Sequence, residues 1–539
     1  MKFVVVRSAV FILLLSGGAF VHSKSIVEHQ VRVLDQDNDN TEHEQQQQQV
    51  EAAAWFKNAG TKNQTVTKDS TYSLDNDDEE DPMLAFMPGE FSHFKAYRRA
   101  DISSFYQEPP GSRIEQTPEF TGQAGKFVNM SPERLELHWD DGKGPPGSFI
   151  CEARPFASCG TATFPTHVFH FIRPSTQQVV CTFTVKKDTS VYFCDPFRPT
   201  DESDDPSAGV YQDAVLDVDE VLDENQRKLY DAAVVNRRFG AVYKNFTGGS
   251  EWLANYPSQP PQHYMWRADY FGQEHAVETM ETQFTTLPPA DKLHQLSIPE
   301  MKRTDKAKIA LPEYRAEGPW NITLTVVSVA PRILQIDNFL SDVEVDHLLD
   351  LAHQAHLDRS STGNAGGEAH ISTVRTSRNT WLRRYSTPIL DAIYKRGADV
   401  LKIEEDLMRH RLPEERPDFP NRKPISEDLQ LVHYDVGQQY TAHHDFGYPD
   451  ARPNAPSRSI NLCMYLNEGM TGGETAFPRW RNAHTTDAVK AVPQKGKAMI
   501  FYMKNPDGNL DDLSQHAAMP VVDGEKWFMN LWTWDPVRE

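Results

Sequence analysis

Four apolar runs near the C-terminal end, "LQLVHY" (429–434), "SINLCMYL" (459–466), "KAMIFYM" (497–503) and "KWFMNLWTW" (526–534), constrain the fold of this chain more than any other feature. Each has strand length, is rich in β-branched or aromatic residues, and is set off by turn-forming residues. In the last run, strand alternation puts Lys526, Phe528, Asn530 and Trp532 on one face and Trp527, Met529 and Leu531 on the other. Two helices are expected ahead of these strands. Ser341 followed by Glu344 makes a capping box, and Leu340 with Val345 makes a hydrophobic staple. A second helix starts at Thr387 with Pro388 in its first turn. Helices first and short strands afterwards predict helices packed outside a sandwich or barrel.

At 539 residues the chain exceeds what one hydrophobic core organises, so two or three units are expected. Its 77 acidic against 55 basic residues leave a net charge of −22, which disfavours nucleic acid and anionic lipid as partners. The N-terminus combines Lys2 and Arg7, an apolar run from Ala9 to Leu15, and small residues before a cut after Ser23. This pattern predicts a secretory signal peptide over 1–23. The alternative, an uncleaved anchor, falls short of the ~20 apolar residues that a bilayer requires. No later segment is apolar enough to cross a membrane, so no stable span is expected after cleavage. Sequons at Asn63, Asn129, Asn245 and Asn321 suit a glycoprotein of the secretory pathway. The ending "WDPVRE" is not a KDEL-type signal, which leaves endoplasmic reticulum, Golgi lumen and secretion open.

Residues 24–120 carry "EHEQQQQQ" and "DNDDEED" with few clustered apolar positions and read as a disordered acidic, Gln-rich leader. From Lys126 the texture changes to short β-type runs, including "RLELHWDDG", "THVFHFI", "QVVCTFTVKK" and "SVYFCDPF", which predict a small β-sandwich over 121–200. Four of the five cysteines (Cys151, Cys159, Cys181, Cys194) fall inside it and suggest two disulfides, with three connectivities possible. A tight turn at Lys187 and Asp188 would set Cys181 opposite Cys194 across a hairpin. Cys463 lies in an apolar strand and reads as a small buried hydrophobe. Residues 201–316 read as a linker with helices, and 317–539 as the unit built from the helices and strands above.

The chemistry centres on "YTAHHDFG", Tyr440 to Gly447. On a strand His443 and Asp445 share a face and His444 takes the other. A third ligand is offered by His516, which follows a polar loop and precedes an apolar run, at the mouth of such a barrel. Two histidines and one carboxylate on one side of Fe(II) leave three positions open, the requirement for O2 and a chelating co-substrate. Ten residues on, Lys526 faces the barrel interior, where a lysine must be paired. The distal carboxylate of 2-oxoglutarate would supply the partner. The HxD motif by itself is also compatible with ordinary polar residues; the joint pattern carries the reading.

At these residues the chain resembles the prolyl 4-hydroxylase family of Fe(II)- and 2-oxoglutarate-dependent dioxygenases, through "PRILQIDNFLS", "VRTSRNTWL", "LVHYDVGQQYTAHHDF", "SINLCMYLNEGMTGGETAFP", "KGKAMIFY" and "HAAMPVVDGEKWFMNLW". The match runs from about Pro331 to Trp534. It implies a double-stranded β-helix, or jelly roll, with iron on His443, Asp445 and His516. It places the co-substrate carboxylate on Lys526, Tyr434 and Thr475, with Trp532 lining the co-substrate pocket. Tyr440 and Arg458 match positions facing the peptide proline, and the loop around Arg375 one that closes over substrate. The implied activity hydroxylates peptidyl proline in a proline-rich peptide or protein while 2-oxoglutarate becomes succinate, with L-ascorbate as reductant. Two features depart from the family. Asn461 stands where threonine is usual, and the helical peptide-binding repeat of animal collagen hydroxylases is missing, so the organisation is closer to the short plant and algal type. Residues 122–197 resemble the β-domain of the von Hippel–Lindau protein, which would place Thr163, His167 and Phe169 on a strand that contacts hydroxyproline; the alternative makes Trp139, Phe169 and Phe171 core. Oxygenation of another side chain such as lysine, and a non-catalytic hydroxyproline-binding scaffold, are the rival functions.

Overall fold

The structure is a computed structural model that describes residues 120–535, except 143, 145, 200–204, 298–305, 307–308, 363–369, 372–373, 413, 416–420, 449–455 and 481–488. The signal-peptide and leader segments read from the sequence, and the sequon at Asn63, lie outside the described residues. Among the described residues no helix is long and apolar enough to cross a membrane.

The first part is a two-layer sandwich. Its strands are β1 (Gln123–Asn129), β2 (Leu135–Trp139), β3 (Ser148–Ala153), β4 (Ser158–Thr163), β5 (Val168–Arg173), β6 (Gln178–Thr184), β7 (Val191–Cys194) and β8 (Val210–Tyr211). Sheet order β3-β2-β5-β6-β8 faces β4-β1-β7. Phe127 on β1 packs against Phe169, Phe183 and Tyr192, ring centroids 4.7, 5.1 and 5.3 Å away, which fixes the inner faces of the two sheets. Phe169 is therefore core, whereas His167 is half-buried and meets Thr163 Oγ1 through Nδ1 at 3.1 Å.

Cysteines pair as Cys151–Cys159 and Cys181–Cys194, with Cα separations of 6.2 and 6.0 Å. The second pairing matches the hairpin argument, but the hairpin itself is not formed. β6 pairs with β5 and β8, while β7 crosses to the other sheet and runs parallel to β1. Both bridges therefore tie one sheet to the other, because β3 and β6 belong to the larger sheet and β4 and β7 to the smaller. The sequon at Asn129 is also overturned as a glycan site. Its side chain is buried, and Nδ2 donates to the carbonyls of Glu133 at 2.7 Å and Ala153 at 3.2 Å, closing a turn from which a glycan nitrogen cannot emerge.

Residues 201–316 do hold a helix, α1 (Glu224–Phe246), started by Asp223 and Gln226 in a capping box. They also hold β9 (Glu274–Thr279), which pairs with β10 (Trp320–Ser328). The segment thus contributes an edge strand to the next domain's sheet in addition to docking helices.

The remaining strands are β11 (Ile333–Ile336), β12 (Asp358–Arg359), β13 (Ser361–Thr362), β14 (His370–Ile371), β15 (Arg378–Leu382), β16 (Leu429–Tyr434), β17 (Tyr440–His443), β18 (Ser457–Tyr465), β19 (Thr471–Gly472), β20 (Thr475–Phe477), β21 (Val489–Ala491), β22 (Ala498–Tyr502), β23 (His516–Ala518), β24 (Val521–Asp523) and β25 (Lys526–Asp535). A nine-stranded sheet, β12-β15-β16-β25-β18-β22-β11-β10-β9, and a four-stranded sheet, β17-β23-β20-β21, form the two sides of a jelly roll. Helices α2 (Asp342–Gln354) and α3 (Pro388–Leu401) cover the outer face of the larger sheet. Val345 and Leu348 from α2, and Ile389 and Ile393 from α3, share one apolar cluster with Leu431, Leu462, Trp527, Met529 and Leu531. The alternation read in "KWFMNLWTW" is the alternation observed. Ser341 Oγ accepts from Glu344 N–H at 3.2 Å and Glu344 Oε2 from Ser341 N–H at 3.0 Å, as the capping box requires. That same carboxylate pairs with buried Arg396 of α3, which pins the two helices together.

Candidate active site

Strand β17 ends at His443 and strand β23 begins at His516, and these residues face each other in register across the smaller sheet. Asp445 follows two residues after His443. The candidate ligand atoms of all three lie within 4.8 Å of one another. His443 Nε2 is 3.6 Å from Asp445 Oδ1, and His516 Nε2 is 3.5 Å from Asp445 Oδ2. His444 turns away, as the strand period demands, and meets Asp512 at 3.1 Å.

Hydrogen bonds behind the three residues decide which atoms are free. His443 Nδ1 faces the carbonyl of Thr441 at 2.8 Å, and His516 Nδ1 faces that of Ser514 at 3.0 Å. A carbonyl only accepts, so each Nδ1 carries a proton, and Nε2 is the nitrogen that each ring turns to the centre. Asp445 Oδ2 accepts from Asn461 Nδ2 at 3.0 Å and from Trp532 Nε1 at 2.9 Å. Both lone pairs of Oδ2 are thereby used, and Oδ1 is the oxygen left to bind. Burial would raise the Asp445 carboxyl, but His516, His443 and Arg458 outweigh it and hold the group far below its ordinary value. Burial pushes His516 down to about 4, so it is neutral at physiological pH. Two imidazoles and one carboxylate converging on one point fit a divalent iron with open positions.

Lys526 begins β25, is fully buried, and points into the jelly roll. Its ammonium lies 3.5 Å from Thr475 Oγ1 and 4.7, 5.6 and 5.7 Å from the rings of Phe528, Tyr434 and Tyr465. Tyr465 donates its hydroxyl to Thr475 Oγ1 at 2.9 Å. Among the described residues no carboxylate lies within ion-pair distance of Nζ, and burial lowers its pKa to about 8. Register places this end relative to the ligands. Thr475 pairs with Ala518, two residues along β23 from His516. Residues two apart share a face at a spacing of about 7 Å, the reach of a five-carbon dicarboxylate. A buried cation beside Thr475, with no carboxylate partner among the described residues, fits the far carboxylate of 2-oxoglutarate.

The other sequence-derived positions gather around the same centre. Tyr440 stacks on His443 with ring centroids 3.4 Å apart, and the Arg375 guanidinium lies 4.9 Å over the Tyr440 ring. Arg458 sits 3.8 Å over the Trp532 ring and forms a bidentate pair with Glu427 at 2.6 and 2.8 Å. Trp532, expected along the co-substrate pocket, also donates its indole N–H to the metal-side carboxylate. Glu427, Asn530 and the Asp445-holding role of Asn461 were missed. Asn461 appeared only as a departure from a pattern; a buried asparagine in register with Trp532 on the neighbouring strand was the available signal.

Comparison with known proteins bears on the same segment. The family model described as the 2OG-Fe(II) oxygenase superfamily matches residues 429–534. Prolyl 4-hydroxylase 5 of Arabidopsis thaliana is 31% identical over 229 residues, covering 40% of this chain and 72% of that protein. Probable prolyl 4-hydroxylase 3 of the same plant is 32% identical over 220 residues, covering 38% of this chain and 70% of its own length. A crystal structure of the viral collagen prolyl hydroxylase of Paramecium Bursaria Chlorella virus-1 with 2OG aligns at 28% identity and a TM-score of 0.28, over 38% of this chain and 95% of that one. The matched segment contains His443, Asp445, His516 and Lys526, and the chain belongs to the prolyl 4-hydroxylase family of Fe(II)- and 2-oxoglutarate-dependent dioxygenases.

Proposed function

We propose that this chain hydroxylates prolyl residues at C4 in proline-rich proteins of the secretory pathway. The observation that carries the reading is the combination of a converged His443–Asp445–His516 trio with a fully buried Lys526 that meets Thr475, whose strand partner Ala518 lies two residues from His516. When bound, iron with 2-oxoglutarate and O2 supplies the oxidising chemistry, which ends in succinate, carbon dioxide and one oxygen atom on the prolyl ring. The residues do the rest. Carbonyl contacts at both Nδ1 atoms fix the tautomers, Asn461 and Trp532 fix the carboxylate, and Lys526 with Thr475 fixes the distal end of the co-substrate. Tyr440, Arg458 and Arg375 wall the open side, and Glu427 holds Arg458 in place. A peptide in polyproline II conformation suits such a wall, being extended and already ordered.

The secretory address rests on the signal-type N-terminus and is supported by two disulfides, which persist in oxidising compartments. Asn245 and Asn321 are exposed and are the sequons open to glycosylation among the described residues. L-ascorbate as reductant follows from the family. The test is mass spectrometry of proline-rich peptides incubated with the chain, iron and 2-oxoglutarate: oxygen located on proline supports the reading, and oxygen on lysine transfers it to the rival oxygenase.

A further inference from the structure

The site-facing surface of the large sheet can be followed row by row through cross-strand pairs. Trp381 on β15 pairs with Gln430 on β16, Gln430 with Asn530 on β25, and Asn530 with Cys463 on β18. Paired residues in antiparallel strands project to the same side. Asn530 shares its face with Lys526 and Trp532, so Trp381 looks into the same chamber. Three members of this row are buried, with Gln430, Asn530 and Cys463 exposed by 4, 6 and 3%, whereas Trp381 is 45% exposed. The chamber therefore opens to water at Trp381, and its open rim is a large aromatic ring. That ring is also close to the chemistry. Its centroid lies 6.2 Å from that of Trp532, whose indole donates to Asp445 and whose face carries Arg458.

We propose that Trp381 is a specificity-determining residue that seats a residue of the proline-rich substrate neighbouring the reacting proline. The inference deepens the proposed function and rests on it. A pyrrolidine ring is flat and apolar, and its C–H edges pack well on an indole face, the contact by which aromatic grooves take polyproline II segments. Polyproline II repeats every three residues with a rise of about 3.1 Å per residue, so a residue one turn from the reacting proline lies about 9 Å away on the same side. Trp381, one aromatic ring removed from the Asp445 contact, stands at that range.

Steady-state turnover of two proline-rich peptides by the full chain tests this. One peptide reaches a full polyproline II turn beyond the reacting proline, and the other, of about four residues, does not. Trp381→Ala is expected to raise KM for the longer peptide roughly 3- to 15-fold. KM for the short peptide and the Kd of 2-oxoglutarate should stay at wild-type values, and Trp381→Phe should recover part of the loss. An unchanged KM for the longer peptide overturns the inference while leaving the proposed function intact. An equal rise for both peptides also overturns it, as does a smaller sedimenting species for Trp381→Ala with KM unchanged, which would assign the ring to a contact between copies. If wild-type protein oxidises neither peptide on proline, the proposed function fails first and this inference with it.

Discussion

At the scale of single residues, one lysine and the two donors behind an aspartate decide what the site can hold. Lys526→Ala removes the charge-assisted partner of a buried carboxylate and should weaken 2-oxoglutarate by roughly 2 to 5 kcal/mol. Lys526→Arg should recover only part, because a planar fork does not occupy the space of an ammonium. Burial lowers the free Lys526 ammonium to about 8, and only the protonated form pairs a carboxylate. The Kd of 2-oxoglutarate should accordingly be flat below pH 8 and rise by up to about tenfold per unit above it. Titration between pH 7 and 9.5, with metal present, reads this directly, and a flat profile would remove Lys526 from the co-substrate site. Asn461→Ala and Trp532→Phe each free one lone pair of Asp445 Oδ2 and should weaken metal binding by roughly 10- to 100-fold, measured without co-substrate; Asn461→Thr should be milder. His443 with Asp445 was legible from spacing along one segment and Lys526 from the alternation of β25, whereas His516 was marked by its place between a polar loop and an apolar run. The donors to Asp445 were not, since they arrive from β18 and β25, whose register no local pattern announces.

Elements show the same division between local and long-range information. Capping boxes, the start of α3 at Pro388 and the alternation of β25 follow from residues a few positions apart, and all three are present. The sandwich topology is different. Local turn chemistry favoured a β6–β7 hairpin, but β7 gains a parallel partner in β1, and the chain crosses between sheets. Non-reducing peptide mapping should recover Cys151 with Cys159 and Cys181 with Cys194, and loss of either bridge should cost roughly 2 to 3 kcal/mol of stability. The smaller sheet of the sandwich also braces the segment that carries the ligands. Asp512 accepts from Ala124 N–H on β1 at 3.0 Å, meets His444 at 3.1 Å and pairs with Arg479. Gly160 on β4 lies against the Gly125 carbonyl of β1 and the Tyr448 ring, where an added Cβ would come within 2.6 Å of the ring and closer still to the carbonyl. Gly160→Val should therefore displace either β4 or the 444–448 segment and destabilise the protein by roughly 1 to 3 kcal/mol, seen as a lower Tm. An unchanged Tm would mean that the brace does not bear on the site's support.

At the scale of the whole molecule, the sandwich, the α1 region and the jelly roll share buried surface. One apolar cluster runs from Val128 and Phe193 in the sandwich, through Tyr230, Phe239 and Trp252, to Phe477, Phe501 and Trp532 beside the site. Lys126 of β1 is buried and donates to the carbonyls of Leu253 and Ala254 and to Asn255 Oδ1, at 2.9, 3.0 and 3.1 Å, so all three ammonium protons are placed. The plant relatives match only about two fifths of the chain, and the additional parts are packed onto the matched part rather than strung beside it. Composition carries the sign of the charge, but not this integration, because it depends on which apolar faces meet. The central claim is that this assembly oxidises peptidyl proline at the expense of 2-oxoglutarate. The most direct measurement is tandem mass spectrometry of a proline-rich peptide after incubation with wild-type chain and with His516→Ala, each with iron, with and without 2-oxoglutarate. One added oxygen atom, located to proline by fragmentation, is expected only with wild-type protein and only when 2-oxoglutarate is present. Oxygen located to another residue type, or no oxygen on any proline-rich peptide from a preparation that binds both metal and 2-oxoglutarate, would contradict it.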